Sequence, residues 1–369
     1  MENLMSLDRE ELIAWIHLSR LELAPRKALA LLDHFGDPRA VFQAKTGQLA
    51  QVSDLGRAAV DKILTSDAGA AETDLEKMTK AGARLVTVRC EEYPANLKQI
   101  YDPPIALYVK GELKETDRFA VAIVGSREAS EYGRAMTVRI AGELCSRGLT
   151  IVSGGARGID TFAHRGALEA GGRTIAVLGC GIDVVYPGEN GKLFQTIARQ
   201  GAVISEYPMG SKPEGWRFPG RNRVISGLSR GVLVCEGRAD SGSLITANFA
   251  AEQGRDVFAL PGGVDAEKSR APHKLIKEGA KLVENAADIL EEFGLVAEPK
   301  GTLELGPPLD TLDPQERAVV EALDLQPKHV DAIIREINLP ASQVISLLTL
   351  LEMRGFVRRV PGNAYVRAL

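Results

Sequence analysis

Six short apolar runs in the middle of the chain each end in a glycine or in a polar or proline-containing turn. They are Ala120–Gly125, Leu149–Gly155, Thr174–Gly179, Gly201–Glu206, Gly231–Glu236 and Asp256–Gly262. Runs of Val, Ile, Leu and Ala without polar alternation are apolar on both faces, as strands covered on both sides must be. Segments of helical spacing separate several of them, so β alternates with α and a mostly parallel α/β sheet is expected. In such a sheet a ligand meets the carboxyl ends of the strands. Those ends are where this chain gathers Gly, Ser, Arg and Asn, which predicts one composite anion-binding mouth.

The flanks divide the rest. Residues 1–75 read as a small helical domain, and 76–118 as a Pro-interrupted bridge with two short strand candidates. The core spans 119–294, a Pro/Gly-bearing linker 295–309, and a last domain 310–369. That last domain is helical and closes on Gly355–Arg367, a two-stranded wing around Pro361-Gly362-Asn363. Two turns in the first domain, His34–Pro38 and Ser53–Arg57, each precede a helical pattern. Either can be an ordinary connection or, with backbone N–H groups at a helix start, a phosphate hold.

Composition excludes some classes. No run approaches the roughly 20 apolar residues that span a bilayer. The N-terminal MENLMSLDREEL lacks the basic-then-apolar build of a signal peptide. Cys90, Cys145, Cys180 and Cys235 are scattered without a CxxC, as reduced core thiols are. A cytoplasmic protein is expected. A net charge of −4 gives no global pull toward nucleic acid, so any such affinity must be local.

Three segments carry the local chemistry. The turn Ser153-Gly154-Gly155-Ala156-Arg157-Gly158 follows a strand and opens a helix, which suits a phosphate through close backbone approach and a helix N-terminus. It satisfies neither GxGxxG nor GxxxxGK[ST]. Gly125-Ser126-Arg127, at the neighbouring strand end, adds a hydroxyl and a bidentate guanidinium. From Lys212 to Arg230 there are five bases and one acid; Arg217, Arg221 and Arg223, with Asn222 as a further donor, stand beside Trp216 and Phe218. Bases interleaved with aromatics suit single-stranded nucleic acid. Ser241, Gly242 and Ser243 add small donors. Lys192 and Phe194 offer a charge and a ring, although Phe194 has helical spacing with Ile197 and suits the core equally. Asp160 and His164, four apart on one helix, read as a helix-start carboxylate and its neighbour, with no third metal ligand in view. No HExxH or close carboxylate pair is present, so the site is built to hold phosphates and no catalytic residue or cofactor is expected.

Taken in order, Gly125-Ser126-Arg127, SGGARGIDTFAH (from Ser153), GCGIDVVYPGEN (from Gly179), FPGRNRVISGLS (from Phe218), SGSLITA (from Ser241) and GRDVFALPG (from Gly254) closely resemble the DNA-processing protein A family (DprA, also called Smf). The resemblance implies an extended Rossmann-like core. The flanks are similar to sterile-alpha-motif or helix-hairpin-helix modules and to a winged helix. It further implies a protein that binds single-stranded DNA, protects incoming strands, loads the RecA recombinase in natural transformation, and forms a homodimer through the core. Arg127, the Ser153–Gly158 turn, Lys192 and Arg221-Asn222-Arg223 would line the DNA pocket. One departure stands at Ser269–Ile276, where the family's Ser-x-Gly-x-Asn-x-Leu-Ile reads SRAPHKLI.

Two further expectations complete the reading. Residues 310–369 carry eight acids and seven bases, and Ser342–Arg354 has no base before Arg354. A major-groove reader would be more basic, so this domain is expected chiefly to contact protein, with Arg358 and Arg359 as a candidate DNA-contacting wing. The alternative function is a Rossmann-like nucleotide phosphoribohydrolase with PGGxGTxxE. Here Pro261-Gly262-Gly263 lacks the Gly-Thr pair, and Glu267 stands two residues early for that spacing.

Overall fold

The computed structural model describes residues 8–295, 312–324, 327–337 and 339–367. Apart from Leu295, the expected linker lies outside the described residues, as does the start of the N-terminal segment read for a signal peptide.

All six apolar runs form strands. They are β3 (Ala120–Val124), β4 (Thr150–Ser153), β5 (Thr174–Val177), β6 (Ala202–Ser205), β7 (Gly231–Val234) and β8 (Asp256–Ala259). The bridge supplies β1 (Arg84–Thr87) and β2 (Ala106–Gly111), and β9 (Lys281–Leu282) closes the far edge. One nine-stranded sheet results, in the order β1-β2-β6-β5-β4-β3-β7-β8-β9. Every pair from β6 to β9 is parallel, whereas β1, β2 and β6 pair antiparallel. The order reverses at β3, which has β4 on one side and β7 on the other. That reversal opens a crevice at the strands' carboxyl ends.

Five of the six strands are buried along their whole length, and β8 is buried in its second half. Helices Glu131–Ser146 and Ile159–Glu169 pack with Val121, Ile123, Ile151 and Leu233 into one core. On the other face the N-terminal helices share a core with the sheet, and Trp15, Leu31 and Leu49 join Leu107 and Tyr108.

Capping fixes the N-terminal helices. Asp8 accepts from the Glu11 amide at 2.7 Å ahead of helix Arg9–Arg20, and Asp37 caps Pro38–Gln43. Helix Pro25–Phe35 begins on a proline and ends on Gly36, whose φ of 75° is the left-handed conformation that stops helices. A three-stranded sheet, β10 (Lys328–His329), β11 (Val357–Val360) and β12 (Ala364–Arg367), packs with helices Pro314–Glu321, Val330–Ile337 and Ala341–Met353. This is the winged-helix domain.

Candidate nucleic-acid interface

A pocket of about 720 Å³ occupies the crevice where the strand order reverses. Its wall takes Gly125, Ser126 and Arg127 from the end of β3, Ala156 from the turn after β4 and Asp160 from the helix it opens, and Ser241 and Gly242 from the turn after β7 with Ser243 from the helix Ser243–Glu252 that follows. Helix Arg217–Leu228 contributes Phe218, Arg221 and Asn222. The turns after β3 and β4 fit tightly together. The Ile159 amide donates to the Ser126 carbonyl at 3.0 Å, and a β-carbon on Gly158 would overlap that same carbonyl. Gly158 also has a φ of 71°, so it meets two requirements no other residue satisfies.

Arg127 is exposed, and among the described residues no carboxylate pairs with it. Its guanidinium lies 5.7 Å from the centre of the Phe218 ring, which in turn stands 5.7 Å from the Tyr186 ring. Tyr186 also lines the pocket and is 42% exposed, so an aromatic face and a free cation sit side by side. The Ser241 and Ser243 hydroxyls, 2.8 Å apart, line the same pocket.

Arg221 is buried. It donates to the Gly154 carbonyl at 2.6 Å and to the Val177 carbonyl. Burial weakens its basicity, while burial raises the Asp160 carboxyl above the usual range against the pull of Arg221. Asp160 accepts from the Ala156 amide at 3.3 Å. His164 turns instead to Thr174, with Nδ1 2.7 Å from the hydroxyl, so Asp160 and His164 form no pair.

Several residues read from the sequence as DNA-facing serve the scaffold here. The expected basic loop is the helix Arg217–Leu228, and all three of its arginines are buried. Arg223 pairs with Glu206 at 2.5 Å and Asp102 at 3.2 Å, on the side of the helix away from the pocket, and Arg217 pairs with Glu22 at 2.9 Å. Their charges are neutralised by neighbouring carboxylates, so they offer no free cation. Ser153 donates to the Ile123 carbonyl at 2.6 Å inside the sheet. Gly154 and Gly155 pack on Arg221 and on the buried Phe194 ring. Exposed Arg157 is tied to Glu189, and exposed Lys192 stands outside the pocket wall.

Conversely, Tyr186 and Arg238 line the pocket but were not among the expected site residues, whereas Phe218, read with the basic segment as a stacking ring, does line it. The available signal for Tyr186 was an aromatic residue in a polar loop beyond a strand end. Ser269–Ile276 folds into a short turn and helix Arg270–Lys277. There the Ala271 amide donates to the Gly237 carbonyl at 2.9 Å, outside the pocket wall. Among the described residues no group of three His, Cys, Asp or Glu side chains could hold a metal, and no helix is long and apolar enough to cross a membrane.

Sheet order, switch-point pocket and terminal domains define a Rossmann-like α/β protein flanked by a helical unit and a winged helix. Residues 84–294 match the family model for DNA recombination-mediator protein A, and residues 304–363 match that for the DprA winged helix domain. The chain belongs to this DprA/Smf family. It is 33% identical to protein Smf of Synechocystis, over 96% of this chain and 98% of that one. Protein Smf of Escherichia coli is 40% identical over 80% of each chain. The crystal structure of DNA processing protein A from Streptococcus pneumoniae superposes with a TM-score of 0.67 at 39% identity, covering 76% of this chain and 97% of that one. The Helicobacter pylori protein, solved for its single-stranded DNA binding mode, gives a TM-score of 0.52 at 32% identity over 57% of this chain and 95% of that one.

Proposed function

We propose that this protein binds single-stranded DNA without regard to sequence at the switch-point pocket. In this reading it protects incoming strands and loads RecA onto them in the cytoplasm during natural transformation and recombination. The observation that carries the binding is Arg127, a guanidinium without an ion-pair partner among the described residues, beside the Phe218 and Tyr186 rings in a pocket that small hydroxyl donors also line. Such a set holds a phosphate and stacks a base, and it offers no pattern matched to one base edge. Membership of the DprA/Smf family, with a Helicobacter pylori relative studied for single-stranded DNA binding, supports the same substrate. The RecA partner and a homodimer formed through the core rest on the resemblance to the family.

Binding without bond cleavage is the second part of the proposal. Glu267, the glutamate nearest in sequence to a phosphoribohydrolase position, is exposed outside the pocket wall and lies 3.5 Å from Arg238. The winged helix, short of bases on its Ala341–Met353 helix, fits a protein partner better than a DNA groove.

The deciding experiment is equilibrium binding of fluorescent oligo-dT and of a matching duplex across a salt series, with wild type and Arg127→Ala. Tight single-strand binding that weakens with salt and collapses in the variant is expected. Equal binding by the variant would remove Arg127 from the site. Absence of binding, with base released from nucleoside monophosphates, would replace the reading with hydrolysis. RecA-driven strand exchange on oligonucleotides coated with single-strand-binding protein tests the loading step, and sedimentation tests the dimer.

A further inference from the structure

A second groove, of about 860 Å³, lies between helix Pro25–Phe35 and the bridge. Its side-chain charge differs from that of the pocket. In the pocket, Arg127, Arg221 and Arg238 are balanced by Glu128, Asp160 and Asp240. In the groove, Arg26, Arg89 and Lys98 face one carboxylate, Asp33. This surplus of positive charge belongs to a chain whose net charge is −4. Arg26 and Lys98 are exposed and, among the described residues, have no ion-pair partner. Arg89 is anchored by donating to the carbonyls of Leu32, at 2.7 Å, and Gly36.

The groove also holds a ring. Tyr101 is 74% exposed, and the Arg26 guanidinium covers it at 4.2 Å from the ring centre. Cations that follow a backbone beside an open ring are what single strands require, because every base has a face to stack.

A depression of about 280 Å³ has no lining residue in common with groove or pocket but adjoins both along the chain. It shares the first turn of helix Arg217–Leu228 with the pocket, Gly220 lying between the pocket residues Pro219 and Arg221. It shares the start of helix Pro25–Phe35 with the groove, where Pro25 lines the depression and Arg26 the groove. Pro104 and Pro103 adjoin in the same way. Trp216, 60% exposed, lines this passage.

We propose that the groove is a second single-strand subsite, which takes the DNA as it leaves the switch-point pocket past Trp216. Arg26 and Lys98 hold phosphates, and Tyr101 stacks a base. This rests on the single-strand reading of the pocket and extends its footprint onto the N-terminal helical domain.

The test uses the full chain with dT8 and dT30 across a salt series, comparing wild type, Arg26→Ala/Lys98→Ala, Tyr101→Ala and Arg127→Ala. The double variant is expected to bind dT30 at least tenfold more weakly, with a log–log salt slope shallower by roughly 1.4, for two phosphate contacts at about 0.7 each on single strands. Tyr101→Ala is expected to lose about fivefold or more on dT30 with an unchanged slope. Both should bind dT8 as wild type does, while Arg127→Ala loses both oligomers. Wild-type affinity and slope for dT30 in the groove variants, with Arg127→Ala still defective, would overturn the subsite alone and leave the groove to a protein. Equal losses on both lengths would also overturn it, because a general field effect would then account for the cations. A wild type that binds neither oligomer, or an Arg127→Ala variant that binds both normally, would defeat the pocket reading and this extension with it.

Discussion

The Arg221 guanidinium donates to the Gly154 carbonyl at 2.6 Å and fills the space that a β-carbon on Gly154 would take. A buried charge thus serves as the mould of the glycine turn, with Asp160 as its main counter-charge. Removing one member of a buried pair leaves the other uncompensated, which is far costlier than losing a surface contact.

Arg221→Ala should therefore cost stability on the order of 3–5 kcal/mol. Arg221→Lys should recover only part of it, because an ammonium does not fill the space against Gly154 that the planar guanidinium takes. Arg127→Ala, at an exposed position, should leave stability within about 0.5 kcal/mol of wild type. Urea unfolding of the three variants checks this, and an Arg221→Ala protein as stable as wild type would show that the turn holds without its arginine.

The contact between Gly158 and Ser126 sets up a comparison within the same fold. Gly158 and Gly171 both have a positive φ, at 71° and 67°, but a β-carbon on Gly171 meets nothing within 4 Å. Gly171→Ala should cost only the backbone term, roughly 1–2 kcal/mol. Gly158→Ala should cost clearly more, and it should weaken DNA binding by pushing the Ser126-Arg127 turn away from the turn after β4. Thermal melts and oligo-dT titration of both variants measure the two effects; equal melting points would mean the turns can part freely.

How much of this could be read from the chain follows from what each signal reports. The six buried strands were legible because two-sided burial leaves an apolar run with no polar alternation. The glycine turns marked the mouth for a similar reason, since close backbone approach demands that residue type. The bridge strands β1 and β2 were visible only as candidates, since prolines interrupt the segment that carries them. Burial of charge was hidden altogether. Arg217, Arg221 and Arg223 raise the local charge count whether they face water or the interior, and what decides it lies elsewhere in the chain: Glu22 for Arg217, Glu206 and Asp102 for Arg223, and the Gly154 and Val177 carbonyls for Arg221. Tyr186 entered the pocket for a related reason: its place depends on how the loop after β5 folds back over Phe218.

His164 ties stability to pH. The Thr174 hydroxyl donates to the Ile151 carbonyl at 2.8 Å, so it accepts from His164 Nδ1–H, which assigns the neutral tautomer. Burial lowers the ring from 6.5 to about 3. The folded value lies below the unfolded one, so between these limits the unfolded chain binds the proton and the fold does not. Stability should fall with acid through that window by about 1.4 kcal/mol per pH unit, and the group should be silent above it. Urea unfolding of wild type and His164→Gln at pH 7 and pH 5 isolates the effect. The variant should lose less on acidification; an equal loss would mean that the ring takes up its proton while folded.

Charge and stacking at the pocket separate in their salt dependence. Arg127 has no ion-pair partner among the described residues, so a phosphate bound there releases counterions, whereas the Tyr186 ring contributes contact without charge. Arg127→Ala should weaken oligo-dT binding and flatten the log–log salt slope by about 0.7, the share of one phosphate on a single strand. Tyr186→Ala should weaken binding by roughly 1–3 kcal/mol, the range for one stacked base, and leave the slope as it was. Fluorescence anisotropy at four or five salt concentrations gives both quantities for each variant. If Tyr186→Ala bound as tightly as wild type, the bases would stack elsewhere, and Phe218 would be the ring to replace next. If Arg127→Ala kept the full slope, the phosphate would be held by the backbone N–H groups of the turns alone.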